Sequence, residues 1–238
     1  MIKKLIIIFQ FLIICTLFVS LLSFTLQSKS LDSQALNLIK INSSQNSFVS
    51  VDNVIDILSR EGLVYENQEV FDIKSIESVI MNQPQIKEAE VFLNLDGLVD
   101  VIVEEKKPIL RVFELSDSYY LDEDCQIMPL SDLYTSRNLI ASGDLKSFNI
   151  EDICKLSKHI VSDKFLKSLI SQIYFEKNNI ILVTRIQNHE INIGDLDFIE
   201  LKFNNLLCFY NNVIEFKGWN YYKSINLKYT DQIICSKK

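Results

Sequence analysis

The chain has 238 residues, of which 24 are basic and 31 acidic, for a formal net charge of −7. The first 28 residues hold two lysines and no acid, so the remainder carries 22 basic and 31 acidic residues, a net charge of −9. Such a body is a poor partner for nucleic acid, whose affinity rests on neutralising phosphates, and it is not expected to adhere to anionic lipid.

Residues Leu5 to Ser28 carry no charge, and most are large and apolar. A helix that spans the hydrocarbon core needs about 20 such residues. Lys3 and Lys4 precede the run and only Lys29 follows closely, which predicts residues 1–4 inside and the body outside. A cleaved signal peptide shares the basic start, but its apolar region is usually about 7–15 residues and ends at a small-x-small site. This run is longer, and Ser20, Ser23 and Ser28 give poor cleavage patterns, so an uncleaved anchor is favoured. With no GxxxG and few small residues, the expectation is a tether rather than a helix-pairing segment.

The 210 residues after Ser28 suit one large domain or two small ones. Residues 29–34 form a short polar linker, and Leu36 to Ile41 a strand. Val51, Val54, Ile55 and Leu58 follow the i, i+3, i+4, i+7 stripe of an amphipathic helix, with Gly62 just beyond its end. Asp72 caps a second short helix bearing Ile73, Ile76 and Ile80; Pro84 closes it, because the residue before proline avoids helical angles. The period then becomes two. Ala89, Val91 and Leu93 share a face, Asp96-Gly97 predicts a hairpin turn, and Val99, Val101 and Val103 line the return strand. Two helices on one face of a three-stranded sheet would bury these stripes.

Pro108 opens a second region. Strands are predicted at Ile109–Phe113, Tyr119–Leu121 and Leu139–Ala141, the last ended by Gly143. Asn149 caps a helix over 149–161. Strands follow at Ile173–Phe175, Ile180–Ile186 and Glu190–Ile193. Asp195 is placed as the cap of the longest helix, 195–213. Ile225, Leu227 and Tyr229 alternate in a further strand, and Gln232–Cys235 form the last one. A last strand at a sheet edge leaves open N–H and C=O groups, a template for a partner strand.

Chemistry is sparse. His159 and His189 lie in different elements and lack a second metal ligand at useful spacing, and His159 is placed as an exposed residue near a helix end. No nucleophile elbow, phosphate loop or HExxH helix is present. Asp122 and Asp124 fit a solvated turn better than an acid–base pair. Trp219, beside Tyr221 and Tyr222, fits core packing at least as well as an interface hot spot. Apart from Cys15 in the anchor, the cysteines are Cys125, Cys154, Cys208 and Cys235, with no CxxC. An exported body can form disulfides, but small buried hydrophobes are the favoured reading for a body of this size.

Several of these segments resemble the FtsQ/DivIB family of bacterial division proteins. Ile76-Glu77, Ile80, Pro84, Ile86, Ala89 and Val91 match its POTRA helix-to-strand segment. Val101, Val103, Glu105, Pro108-Ile109 and Arg111-Val112 match the exit strand. Tyr120-Leu121-Asp122 and Met128-Pro129 match a further segment, with Cys125 where glycine is usual. Gly194-Asp195, Lys202, Phe209-Tyr210, Gly218-Trp219 and Ile225 to Tyr229 are similar to the C-terminal region of the version found in Bacteroidota.

The resemblance implies an α+β chain: a transmembrane helix (5–28), a POTRA domain of β-α-α-β-β order (29–106), and a mixed β domain with flanking helices (107–238). It implies a non-enzymatic divisome scaffold in the inner membrane, single-pass, with its body periplasmic and at the septum. Its partners would be FtsB/FtsL-like proteins and upstream division components, with no cofactor, metal or catalytic residue. Carried over by position, the partner strand is Tyr229 to Cys235, with Tyr229, Asp231, Gln232, Ile233, Ile234 and Cys235 as its residues; only backbone pairing transfers, since the side chains differ. The alternatives are another POTRA-containing assembly factor or chaperone, and a membrane-tethered periplasmic enzyme. Barrel-linked assembly factors require many alternating strands of about ten residues, whereas long helices are predicted here, and no catalytic constellation is visible.

Overall fold

The computed structural model describes residues 47–64, 72–95, 99–114 and 117–238, together with Thr16. The anchor prediction (Thr16 apart), the strand over 36–41 and the Asp96-Gly97 turn therefore lie outside the described residues. Among the described residues, no helix is long and apolar enough to cross a membrane.

The chain divides into two compact units; of the described residues, the first draws on 51–64, 72–80, 89–95 and 99–102 and the second on 47–50, 81–88, 103–114 and 117–238. Helix α1 (Val51–Arg60) and helix α2 (Ile73–Met81) bury the predicted stripes, Val54 and Leu58 in one, Ile76 and Ile80 in the other. Asp72 accepts from the Ser75 amide at 3.2 Å, the expected cap. Strands β1 (Ile86–Leu93) and β2 (Val99–Glu105) pair into a two-stranded sheet. Ala89 and Val91 are buried as predicted, but Leu93 is 53% exposed at the strand's end.

The second unit is built on a nine-stranded mixed sheet. Its strands are β3 (Pro108–Phe113), β4 (Ser118–Asp122), β5 (Ile127–Pro129), β6 (Leu139–Gly143), β7 (Ile170–Glu176), β8 (Asn179–Thr184), β9 (Glu190–Gly194), β10 (Tyr222–Asn226) and β11 (Ile234–Lys237). Their spatial order is β11-β10-β9-β8-β7-β6-β3-β4-β5. The parallel neighbours β3/β6 are joined through β4 and β5, whereas the parallel neighbours β6/β7 and β9/β10 need crossovers. Helices α3 (Ile150–Ser162) and α4 (Lys164–Leu169) supply the first. Helix α5 (Ile199–Phe209) supplies the second, continuing through a π-helical stretch, Tyr210–Ile214, into a last turn, Glu215–Lys217. The sheet's inward residues, such as Leu110, Ala141, Ile173, Leu182 and Ile191, share one core with Ile153, Ile160, Leu166 and Phe203 of the helices. The alternating burial of β8 is the period-two pattern of a sheet covered on one face.

Four local expectations change. Cys125 and Cys154 form a disulfide, with Cα atoms 5.7 Å apart, rather than packing as separate small hydrophobes. It joins the β4–β5 turn to α3, and Cys125 takes φ +63°, the left-handed region a glycine would favour. Asp122 is buried, not solvated: its Oδ1 accepts from the Asp124 and Gln126 amides at 2.8 Å each, and Lys106 Nζ lies 3.7 Å from Oδ2. His159 is half-buried and stacks on Phe203, with centroids 4.9 Å apart.

Finally, Asp195 does not cap α5. That helix begins at Ile199, behind Phe198 at φ +53°. The Asp195 carboxylate accepts instead from the buried Lys202 ammonium at 2.7 Å, and the Asp195 carbonyl does so at 3.0 Å. A buried ammonium demands such partners. The hydrogen bond from Lys202 holds the Asp195 carboxyl below the usual carboxylate range. A depressed folded-state value stabilises above the unfolded carboxylate's pKa, and that stability is lost as pH falls through the folded one. Asp195→Ala is expected to cost ~1–2 kcal/mol at neutral pH, and Lys202→Met less, because an apolar replacement leaves no stranded charge. Urea midpoints measured against pH check this: the gap between wild type and Asp195→Ala should close below about pH 4, and a gap independent of pH would contradict the pairing.

Candidate functional site

The feature best placed to meet a partner is the β11 edge. β11 is the last strand of the sheet, antiparallel to β10, with Ile225 opposite Cys235 and Asn226 opposite Ile234. Its other side pairs with no strand among the described residues. The Lys238 amide donates inward to the Tyr221 carbonyl. Successive residues of a strand alternate their N–H groups, so Lys237 and Cys235 direct theirs outward.

The predicted partner residues divide between two settings. Ile234 and Cys235 lie in β11. Tyr229, Asp231, Gln232 and Ile233 precede it, in the connection from β10, so the strand starts two residues later than predicted and runs to Lys237. That connection is tied to α5, where Asn205 Nδ2 donates to the Thr230 carbonyl at 3.0 Å. Tyr229 and Ile234 are about half exposed. Cys235 is half-buried against the core, and burial pushes its thiol upward.

Behind the edge stands a buried polar network that sequence reading does not reveal. His189 is fully buried. Its Nε2 lies 2.7 Å from the Trp219 carbonyl and its Nδ1 3.0 Å from the Tyr210 hydroxyl. A carbonyl only accepts, so Nε2 carries the proton and Nδ1 accepts from Tyr210. Burial pushes the Tyr210 hydroxyl well above its ordinary value, which keeps it a donor. The network fixes the turn that delivers the chain from the helix into β10, and Trp219 packs against the core beside it.

Cations flank the edge. Lys237 Nζ lies 5.3 Å from the Tyr221 ring centre and Lys217 Nζ 5.7 Å. The hydrogen bond to Lys237 holds the Tyr221 hydroxyl below its usual value and Lys237 above its own. Lys238 Nζ donates to Gln187 Oε1 at 2.9 Å. Among the described residues, no group of three or more His, Cys, Asp or Glu side chains is placed to hold a metal ion. What the arrangement offers is an open row of backbone donors and acceptors beside positive side chains.

The family profile described as FtsQ/DivIB, C-terminal related, matches residues 107–236. A POTRA-like domain profile matches residues 34–104. No curated protein matches. Among solved structures, one match is the major extracytoplasmic domain of the trans isomer of the bacterial cell division protein DivIB from Geobacillus stearothermophilus. It is 13% identical, with a TM-score of 0.28, and the match covers 46% of this chain and 98% of that one. The C-terminal profile spans more than half of the chain, and the chain belongs to the FtsQ/DivIB family.

Proposed function

We propose that the protein is a non-enzymatic scaffold of bacterial cell division. The observation that carries this reading is the FtsQ/DivIB match over 107–236, the segment that builds the nine-stranded sheet and ends in the open edge. In this reading Leu5–Ser28 tethers the chain in the inner membrane, the body lies in the periplasm at the septum, and FtsB/FtsL-like partners bind there, supporting septal peptidoglycan synthesis. A partner segment adds a strand to β11, pairing with the outward amides of Cys235 and Lys237 and covering Ile234. Tyr229, Asp231, Gln232 and Ile233 lie where the incoming strand would run past the β10–β11 connection. The Cys125–Cys154 bridge supports an oxidising compartment, since such bonds persist outside the cytosol.

One complementation experiment tests both levels. Depletion is expected to give filamentous cells, and wild-type chain to restore septation. Lys237→Pro removes an outward ladder donor at an exposed position. It is expected to accumulate with a near-normal melting temperature, yet to capture FtsB/FtsL-like partners at least tenfold less and to fail in complementation. Normal septation on depletion would overturn the division reading; undiminished capture by the variant would overturn the edge.

A further inference from the structure

The nine-stranded sheet gathers four cations at one of its ends. Lys107 stands immediately before β3, Arg137 two residues before β6, Lys167 in α4 three residues before β7, and Arg185 immediately after β8. Strands β3, β6 and β7 run parallel, and β8 runs antiparallel to β7. All four positions therefore fall at the same end, although they are scattered over 79 positions of sequence. With Asn138 and an apolar floor that includes Leu139 and Ile170, they line a cleft of about 250 Å³. Glu123 is the one acid in that lining. At the opposite end of the same strands stand Glu114, Asp144 and Glu176.

The excess of cations in this lining is local, and their charge is not already neutralised. The body has acid in excess, and Lys87, Lys106, Lys155 and Lys202 all have carboxylates within 4 Å. Lys107, Arg137, Lys167 and Arg185 have no ion pair and no side-chain hydrogen bond among the described residues. Asn138 lies in the same lining. Its Oδ1 accepts from the Ser136 hydroxyl at 3.1 Å, while its Nδ2 is buried without any acceptor. Unsatisfied buried donors are rare in folded proteins. The occluded Asn138 amide lies out of reach of an anion in the cleft, so the cations carry the site.

The frame is fixed by backbone. The Arg185 amide donates to the Leu169 carbonyl at 2.8 Å, and the Glu123 amide to the Lys107 carbonyl at 3.2 Å. Asp163 caps α4 by accepting from the Leu166 amide. The cleft is smaller than the ~300–1,000 Å³ usual for an organic ligand, so it suits the head of an anion. Four cations against one acid favour a multiply charged oxyanion over a single carboxylate, and guanidinium forks match phosphate oxygens two at a time. We propose that this cleft is a phosphate-binding site, in which Lys107, Arg137, Lys167 and Arg185 hold the anion. The negative net charge of the body opposes general adhesion to anionic surfaces; the site is a local reversal of that charge. It goes beyond the division reading and stands without it.

The test is calorimetric titration of the full chain in uncharged detergent micelles. The probes are inorganic diphosphate and dihexanoyl-phosphatidylglycerol, each against sodium chloride at matched ionic strength. Saturable binding is expected, weakened at least tenfold by Arg137→Gln and by Arg185→Gln. Lys155→Gln, whose lysine pairs with Asp152 on the outer side of α3, should bind as wild type does. Saturation by diphosphate alone identifies free phosphate as the source; tighter binding of the lipid identifies a headgroup. Heats no larger than the chloride control with both probes, or unchanged affinity in both arginine variants, would overturn the proposal.

Discussion

Removing the Cys125–Cys154 bridge is expected to lower the stability of the sheet-bearing unit by about 3.5 kcal/mol, from the chain-entropy cost of a 29-residue loop. For a unit of this size that is a fall in melting temperature of roughly 7–14 °C. The bridge matters because it crosses layers: Cys125 sits on the β4–β5 turn and Cys154 is fully buried in α3. Cys125→Ala/Cys154→Ala and wild type in dithiothreitol should melt alike, and reductant should not lower the double variant further. Cys125→Gly adds a discriminating step. The residue is held at φ +63°, and relieving a left-handed side chain recovers ~1 kcal/mol, so this variant should melt above Cys125→Ala. Labelling gives a direct check. The chain has five cysteines, so unreduced, denatured protein should take up three maleimides; five would show that the bridge does not form.

The pairing of those cysteines shows where sequence reading stops. Stripes such as Val54/Leu58 and Ile76/Ile80 are legible because burial follows the helical period within one element. The Asn149 cap is legible because it is local: its Oδ1 accepts from the Glu151 amide two residues on. Features that need two distant segments are not. Cys125 meets Cys154 only once α3 lies on the sheet. His189 meets Tyr210 and Trp219 only through the crossover, and Lys202 becomes buried only because Asp195 turns back to it. Helix α4 escapes for another reason: its six residues are too few to display a period. The β11 edge was half legible. A last strand is expected at Gln232–Cys235, but the exposed run from Tyr229 has no inward face to fix its start. The cation cleft was invisible, since Lys107, Arg137, Lys167 and Arg185 share nothing in sequence but sign.

Gly143→Ala is expected to be the most damaging single substitution, costing at least about 3 kcal/mol through strain and displaced packing. Gly143 ends β6 at φ +102°, a region open to little but glycine. A Cβ there would lie 2.2 Å from the Phe175 carbonyl oxygen and 3.0 Å from its amide nitrogen. Neither atom can yield. Phe175 is buried, its ring meets Phe148 edge-on at 4.8 Å, and its carbonyl accepts from the Asp144 amide at 2.7 Å. The parallel β6/β7 pairing must therefore open, and those strands join the half of the sheet that holds Cys125 to the half that ends in β11. Gly62 is the control. It too has positive φ, +70°, but no atom lies within 4 Å of its would-be Cβ, so Gly62→Ala should cost only ~1 kcal/mol. Urea midpoints of the two variants decide the matter, and similar losses would show that backbone angle rather than close approach sets the requirement. The comparison also separates two ways of losing function. Gly143→Ala should fail in complementation because the sheet does not form, with little protein accumulating. Lys237→Pro should fail with the sheet intact, which is the outcome only a pairing edge can produce.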